Sequence, residues 1–288
     1  MARTDTVSEQ LCSLPGPVLA LDVVCFGLGS PHTSETAQHQ LACLILLLDK
    51  WRLASKRVAL PESDSDAALR SAAAASVGQL SDAMSAMAIA PDASQAISLA
   101  QVSAYDPVFD PVDVALLAHF GICVSLQNAE GQWRAERHTL FFMPHCGDAM
   151  YHQVCRANWD ADRLARILIV GNSFSNYQSK VKFRAASAGG GASDAEFCFL
   201  ALARATVETP VDDALYEHVA VGAFNDTAVH RFDAERLRAV GDAFWQRVPP
   251  PYAVGEAHAG AASEIIPASA TDQRAASVRK QDVTIKET

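Results

Sequence analysis

Asp106, His145 and Ser173 are the residue types of a nucleophilic triad, and each closely follows a short apolar run. Runs of that kind read as strands, and strand ends in an open parallel sheet meet at one edge beside helix N-termini. A serine there would attack, a histidine would take its proton and an aspartate would orient the ring. The turn Val170-Gly-Asn-Ser-Phe-Ser175 resembles a nucleophile elbow but lacks the second glycine of that motif. Asn172 and Ser173 therefore read better as a polar shelf for a ligand than as catalytic machinery.

The other chemistry-bearing residues favour binding as well. Gly27-Leu-Gly29-Ser30 follows an apolar run, and two glycines let the backbone turn tightly and approach an anionic group at a helix N-terminus. The third glycine of a dinucleotide fingerprint is absent, since position 32 is His, and a plain strand-to-helix turn is the competing reading. Asp106 could hydrogen-bond a ribose or another hydroxylated ligand, although Asp-Pro is also an ordinary turn starter. His145 and Cys146 end the strongest apolar run, just before a helix. A thiol there can be activated, but neighbours on an extended chain point opposite ways, so a dyad is not required. His145 reads as a site residue and Cys146 as its buried neighbour. His152 and Cys155 add to a superficial zinc-like group whose spacing matches no paired Cys/His pattern, and no metal is assigned. The ligand-binding set is thus Gly27, Gly29, Ser30, Asp106, His145, Cys146, Asn172 and Ser173, with no catalytic residue assigned and the cofactor unspecified.

Strands near Val18–Phe26, Val102–Tyr105, Ile122–Leu126, Thr139–Met143 and Ile167–Val170 would position these residues. Helices are expected over Thr33–Leu53, where Leu41, Leu44, Ile45, Leu48 and Trp51 recur at helical spacing, and near Val112–Phe120 and Gly147–Ala157. Ser30 or Thr33 would cap the first. Ala195–Arg204 and Ala234–Trp245 read as further helices. This alternation predicts a Rossmann-like three-layer α/β fold with a mostly parallel sheet. Residues 1–17 read as a flexible lead-in and 18–248 as the α/β domain. An Ala/Ser/Met-rich helical insertion spans 61–100, and 249–288 form a disordered tail.

With 288 residues, half of them hydrophobic, the chain can bury a core without staples. Its net charge of −10 argues against a broad nucleic-acid or anionic-membrane surface. The longest apolar stretch, Leu41–Leu48, is far short of the roughly 20 residues that span a bilayer. Seven dispersed cysteines, with no CxxC pair, fit a reducing compartment, so the cytoplasm and nucleus are expected.

Taken in order, these motifs resemble the sensitivity-to-red-light-reduced (SRR-like) family. The resemblance rests on Phe26–Ser30, Gln40–Asp49, Tyr105–Phe109, Leu140–Cys146, Asn158-Trp159, Ile169–Phe174 and Ala223–His230, covering about residues 20–232. It implies a regulatory role, in light signalling and the circadian clock among plant relatives and in haem biosynthesis and clock-gene expression among animal ones. It implies no established reaction. The 61–100 insertion and the tail are where the sequence departs from that pattern. The leading expectation is a regulatory protein binding a small polar ligand or a protein partner at the strand edge. The alternatives are an enzyme acting on a nucleotide-like or acyl substrate with His145 as general base, and a pure interaction scaffold.

Overall fold

Val23, Val24, Cys25 and Phe26 are all buried although successive strand residues face opposite ways, so this strand has apolar cover on both sides. The computed structural model describes residues 20–59, 98–187, 198–211 and 222–251, together with Val7, Gln10, Leu11 and Leu14. Its strands are β1 (Ala20–Phe26), β2 (Ser98–Tyr105), β3 (Cys123–Val124), β4 (His138–Met143), β5 (Ile167–Asn172), β6 (Thr206–Pro210) and β7 (Thr227–Phe232). They form one seven-stranded sheet in the order β3-β2-β1-β4-β5-β7-β6. The pairs among β1 to β5 are parallel, whereas β7 runs antiparallel to both β5 and β6. The mostly parallel α/β fold expected from the sequence is therefore present.

Helices α1 (Glu35–Ala59) and α2 (Pro111–His119) cover one face. Leu41, Leu44, Leu48 and Trp51 of α1 and Leu117 of α2 pack there with Val23 and Cys25 of β1 and Leu140 and Phe142 of β4. The other face carries α3 (Asp148–Ala157), α4 (Ala161–Leu164), α5 (Phe174–Ser187), α6 (Cys198–Ala201) and α7 (Ala234–Ala239). Val24, Phe26, Phe141 and Met143 meet Tyr151, Val154, Leu164, Phe174, Phe199 and Leu237 on that side. The short helix α8 (Asp242–Trp245) places Phe244 and Trp245 against Trp159, with ring centroids 5.0 and 5.5 Å away. The connection after β1 lies on one face and that after β4 on the other. The crevice between these neighbouring strands is the topological switch point of the sheet.

Several boundaries differ from the sequence reading for local reasons. The N-cap of α1 is Ser34, whose Oγ accepts from the Ala37 N–H, rather than Ser30 or Thr33. The Ser30 carbonyl instead closes a turn with the N–H groups of Thr33 and Ser34. Helix α1 runs to Ala59 instead of Leu53, and Ser98–Ala100, assigned above to the insertion, begin β2. The Ala234–Trp245 helix is two, broken at Gly241 with φ of 87°. Of Ala195–Arg204, residues 195–197 lie outside the described residues and the helix spans Cys198–Ala201. Helices α4 and α5 and the pair β6 and β7 were not among the expected elements. Within the lead-in, Val7, Leu11 and Leu14 are buried in the α1-side core. At the start of the tail, the Pro249 and Pro250 carbonyls accept from Arg156 Nε and His152 Nε2, both at 2.9 Å. Residues 60–97, 188–197 and 252–288, including nearly all of the insertion and the tail, lie outside the described residues.

Candidate functional site

Gly27 and Gly29 have φ of 65° and 72°, the left-handed region that glycine enters without steric cost. Gly27 also needs its missing side chain, since a Cβ there would fall 2.5 Å from Cys146 Sγ. The Gly29 N–H donates to Asp106 Oδ2 at 2.8 Å and the Val108 N–H to Oδ1 at 3.0 Å. Asp106 thereby ties the turn after β1 to the turn after β2. Burial pushes its carboxyl pKa up, against the pull of the two N–H groups.

The N-terminus of α2 holds the same turn from the side. Asp110 and Asp113 form a reciprocal capping box, with Asp110 Oδ1 accepting from the Val112 and Asp113 N–H groups and Asp113 Oδ2 from the Asp110 N–H. Fully buried Asp113 also accepts the His32 N–H at 2.9 Å, and Asp110 Oδ2 pairs with His32 Nδ1 at 3.0 Å. The Asp113 N–H and then His32 hold Asp110 below the usual carboxylate range. Three carboxylates thus fix a turn that the sequence suggested would receive an anion.

The turn after β4 is built around His145, a non-glycine residue with φ of 60°. Asn172 holds it, accepting the His145 N–H at 3.0 Å and donating through Nδ2 to the Cys146 carbonyl at 3.1 Å. The Tyr177 hydroxyl donates to that carbonyl as well, at 2.8 Å. His145 Nε2 lies 3.0 Å from the Ala223 carbonyl, which also accepts from buried Gln40 Nε2 at 2.9 Å. A carbonyl can only accept, so Nε2 carries the proton and a neutral ring keeps Nδ1 as an acceptor. Beneath this turn, the Cys146 thiol donates to the Phe26 carbonyl at 3.3 Å and is buried.

Phe26, Gly27, Gly29, Asp106, His145 and Cys146 line one cavity of about 600 Å3, together with residues of α1 and of the loops after β2 and β3. Its size suits a small molecule. Five sequence-derived site residues converge here: Gly27, Gly29, Asp106, His145 and Cys146. The other three do not line it. Ser30 Oγ is buried with no hydrogen-bond partner among the described residues. Asn172 is consumed in holding the His145 turn. Ser173 is the N-cap of α5, accepting from the Asn176 N–H and donating to Glu208 Oε1 at 2.6 Å.

Glu208 also accepts from the Ser175 N–H and hydroxyl, both at 3.0 Å, and its Oε2 lies 3.8 Å from His230 Nε2. These residues flank a separate cavity of about 440 Å3 lined by Ser173, Asn176, Glu208 and Asp226. His230 is fully buried, stacked on Phe174 at 3.8 Å, and burial pushes its pKa down to about 4 against the pull of Glu208. Asp106, His145 and Ser173 therefore sit in separate hydrogen-bond systems and form no triad. His152 and Cys155 are likewise in the core: His152 Nδ1 accepts the Cys198 N–H at 3.2 Å while Nε2 donates to Pro250. Among the described residues no three His, Cys, Asp or Glu side chains gather as a metal site.

Sequence reasoning missed Gln40, Glu208, Glu130, which lines the cavity of about 600 Å3, and Tyr151, whose hydroxyl bonds the Met143 carbonyl and the Asn172 N–H. Gln40 carried a signal, being a polar residue inside the apolar stripe of α1. Glu130 and Glu208 carried none, because they reach their sites through turns and an antiparallel strand that no local pattern announces.

Fold and crevice together define a doubly wound α/β protein with a cavity at the switch point of its sheet, apolar over most of its wall and carrying Asp106 and His145. The SRR1 domain matches residues 10–63 and 71–231, and the chain belongs to that family. The match is interrupted at 64–70. The chain is 30% identical over 162 residues to the mouse SRR1-like protein, covering 56% of this chain and 47% of that one. It is 33% identical over 138 residues to the Arabidopsis thaliana protein Sensitivity to red light reduced 1, covering 46% of each. A Drosophila melanogaster SRR1-like protein is 29% identical over 147 residues, 51% of this chain and 48% of that relative. The chain spans about half the length of the curated relatives it matches. No solved structure matches it.

Proposed function

We propose that this chain is a regulatory protein whose crevice between the glycine turn, Asp106 and His145 binds a small polar ligand. The supporting observation is that the Asp106 carboxylate and His145 face one cavity of about 600 Å3 at the switch point. Asp106 spends one acceptor position of each oxygen on the backbone and keeps others for a ligand. The name of the Arabidopsis relative refers to a light response. The resemblance implies control of the clock or of haem biosynthesis, and a protein that binds and signals in the cytoplasm or nucleus fits such a role. A protein partner that inserts a polar segment into the crevice would meet the same groups.

The test is a thermal-shift panel of small polar compounds on the full chain, with His145→Asn and Ser173→Ala beside it. Asparagine tolerates the left-handed backbone at 145, so the substitution removes the ring without imposing new strain. A compound at about 100 times its Kd stabilises the fold by roughly 2.7 kcal/mol, a shift of several degrees. The expected result is a compound-specific shift lost in His145→Asn and kept in Ser173→Ala. No shift with any compound, or one lost only in Ser173→Ala, contradicts the reading.

An enzymatic reading has one observation in its favour. The Ala223 carbonyl fixes the His145 tautomer, so Nδ1 is the nitrogen that could take a proton from a substrate in the cavity. Turnover by the purified chain that disappears in His145→Asn would establish it.

A further inference from the structure

We infer that the outer face of α2, at the β3 edge of the sheet, is where a second copy of this chain docks. None of the residues of this face lines the crevice cavity, so the two surfaces stand or fall separately.

A helix on the outside of an α/β domain turns a polar side to water, and one that is apolar all round belongs in an interior. Helix α7 follows that rule, exposing Glu235, Arg236 and Arg238 while burying Leu237. Helix α2 does not. Its inner side carries Leu117 and Asp113, both fully buried, and the Asp113 carboxylate is part of the capping box. Its outer side carries Pro111, Val112, Val114, Ala115 and Ala118, all exposed, with His119 as the one polar side chain at the far end. The spacing 111, 114, 115, 118 sets four of these on one helical face. Val112 is 51% and Val114 38% exposed. Apolar surface continues on both flanks. Leu46 of α1 is 59% exposed, and α1 is tied to the end of α2 where Arg52 donates to the Phe120 carbonyl at 3.0 Å. Leu126 is 90% exposed and follows β3, the last strand of the sheet, whose outer edge has no neighbouring strand among the described residues.

Charge selects the occupant. No Asp, Glu, Lys or Arg stands among the exposed residues of α2, so a partner that reads charge would find nothing there to pair with. The chain has a net charge of −10, and two copies repel each other over most of their surface. They can meet where the surface is uncharged, as the cores of dimer interfaces are. A twofold axis perpendicular to α2 sets the two helices antiparallel, which opposes their dipoles and lays each apolar face on its own like. The small side chains of Ala115 and Ala118 allow a close approach there. Nine residues of helix span only about 14 Å, so Leu46 and Leu126 on the flanks are needed to reach the roughly 800 Å2 per partner of a stable interface.

Analytical ultracentrifugation of the full chain over a micromolar concentration series tests this, with Val114→Glu, Ala118→Glu and Arg236→Glu beside it. The expected result is a monomer–dimer equilibrium in the parent chain. Its Kd should weaken by about tenfold or more in Val114→Glu and in Ala118→Glu, because each puts an unpaired charge into the interface, and stay unchanged in Arg236→Glu. Positions 114 and 118 are exposed in the single chain, so the dilute variants should melt with the dilute parent; should one fail to fold, the other carries the test. A parent chain that stays monomeric throughout the series would overturn the inference and leave the face to another protein or to residues 60–97. A dimer as tight in both α2 variants as in the parent would overturn it too, and so would one that Arg236→Glu weakens equally.

Discussion

Gly27 and Cys146 show how closely the two turns at the sheet edge are fitted. Positive φ and the 2.5 Å approach of a hypothetical Cβ to Cys146 Sγ act independently at this glycine. Gly27→Ala is therefore expected to cost more than the roughly 1 kcal/mol of the backbone conformation alone. Cys146→Ala in the same background should recover the steric part and leave the backbone part. Denaturant unfolding of the two single variants and the double variant measures this coupling, and strictly additive losses would contradict the contact. Cys146 was legible in the sequence as a buried neighbour of the site, but its hydrogen bond to the Phe26 carbonyl was not. That bond joins residues 120 positions apart, and no local spacing encodes it.

At the scale of elements, Tyr151 of α3 fastens the ends of β4 and β5. Its hydroxyl donates to the Met143 carbonyl at 2.7 Å and accepts the Asn172 N–H at 2.8 Å, between neighbouring parallel strands. Gly171 is required beside it, because a Cβ there would lie 2.4 Å from the hydroxyl oxygen. Tyr151→Phe keeps the ring, leaves the Asn172 N–H without this acceptor and leaves the Met143 carbonyl with its 3.4 Å bond from the Cys146 N–H, at a total cost of about 1–3 kcal/mol. A loss of stability by calorimetry in that range is expected, together with a loosened His145 turn; an unchanged melting temperature would contradict the role. The strands β1, β4 and β5 were legible because burial on both faces makes them continuous apolar runs, whereas of β2 only the half near Val102–Tyr105 was legible, since Ser98, Ala100 and Gln101 are exposed. Strands β6 and β7 were not, since Thr206–Pro210 mixes Thr, Glu and Pro at the sheet edge, where one side needs no apolar cover. The fate of Ser173 followed from that gap. Its partner Glu208 lies on β6, so a serine that looked like part of a ligand shelf is a helix cap bound to an unforeseen strand.

Across the whole molecule, buried neutral histidines set the response to acid. His230 titrates near 6.5 when unfolded and is pushed down to about 4 in the fold, and burial lowers the His152 pKa as well. Below pH 6.5 the unfolded chain binds protons that the native chain refuses. Stability should therefore fall as pH drops from 6.5 toward 4, at up to about 1.4 kcal/mol per unit for each such group. The raised carboxyl pKa values of Asp22 and Asp106 act in the opposite sense, since their contribution is lost as pH rises through the carboxylate range. Urea unfolding across the histidine window should show a shallower slope in His230→Phe than in the parent chain, and equal slopes would contradict this account. The central claim is that the crevice at the β1–β4 switch point is where this chain meets its ligand. Hydrogen-exchange mapping of the full chain with and without a saturating compound from the thermal-shift panel, one that stabilises the parent chain but not His145→Asn, tests it most directly. New protection is predicted in residues 27–37, 105–110 and 143–147, with 173–176 and 206–211 unchanged. Protection confined to those latter segments, or none anywhere, would contradict the claim.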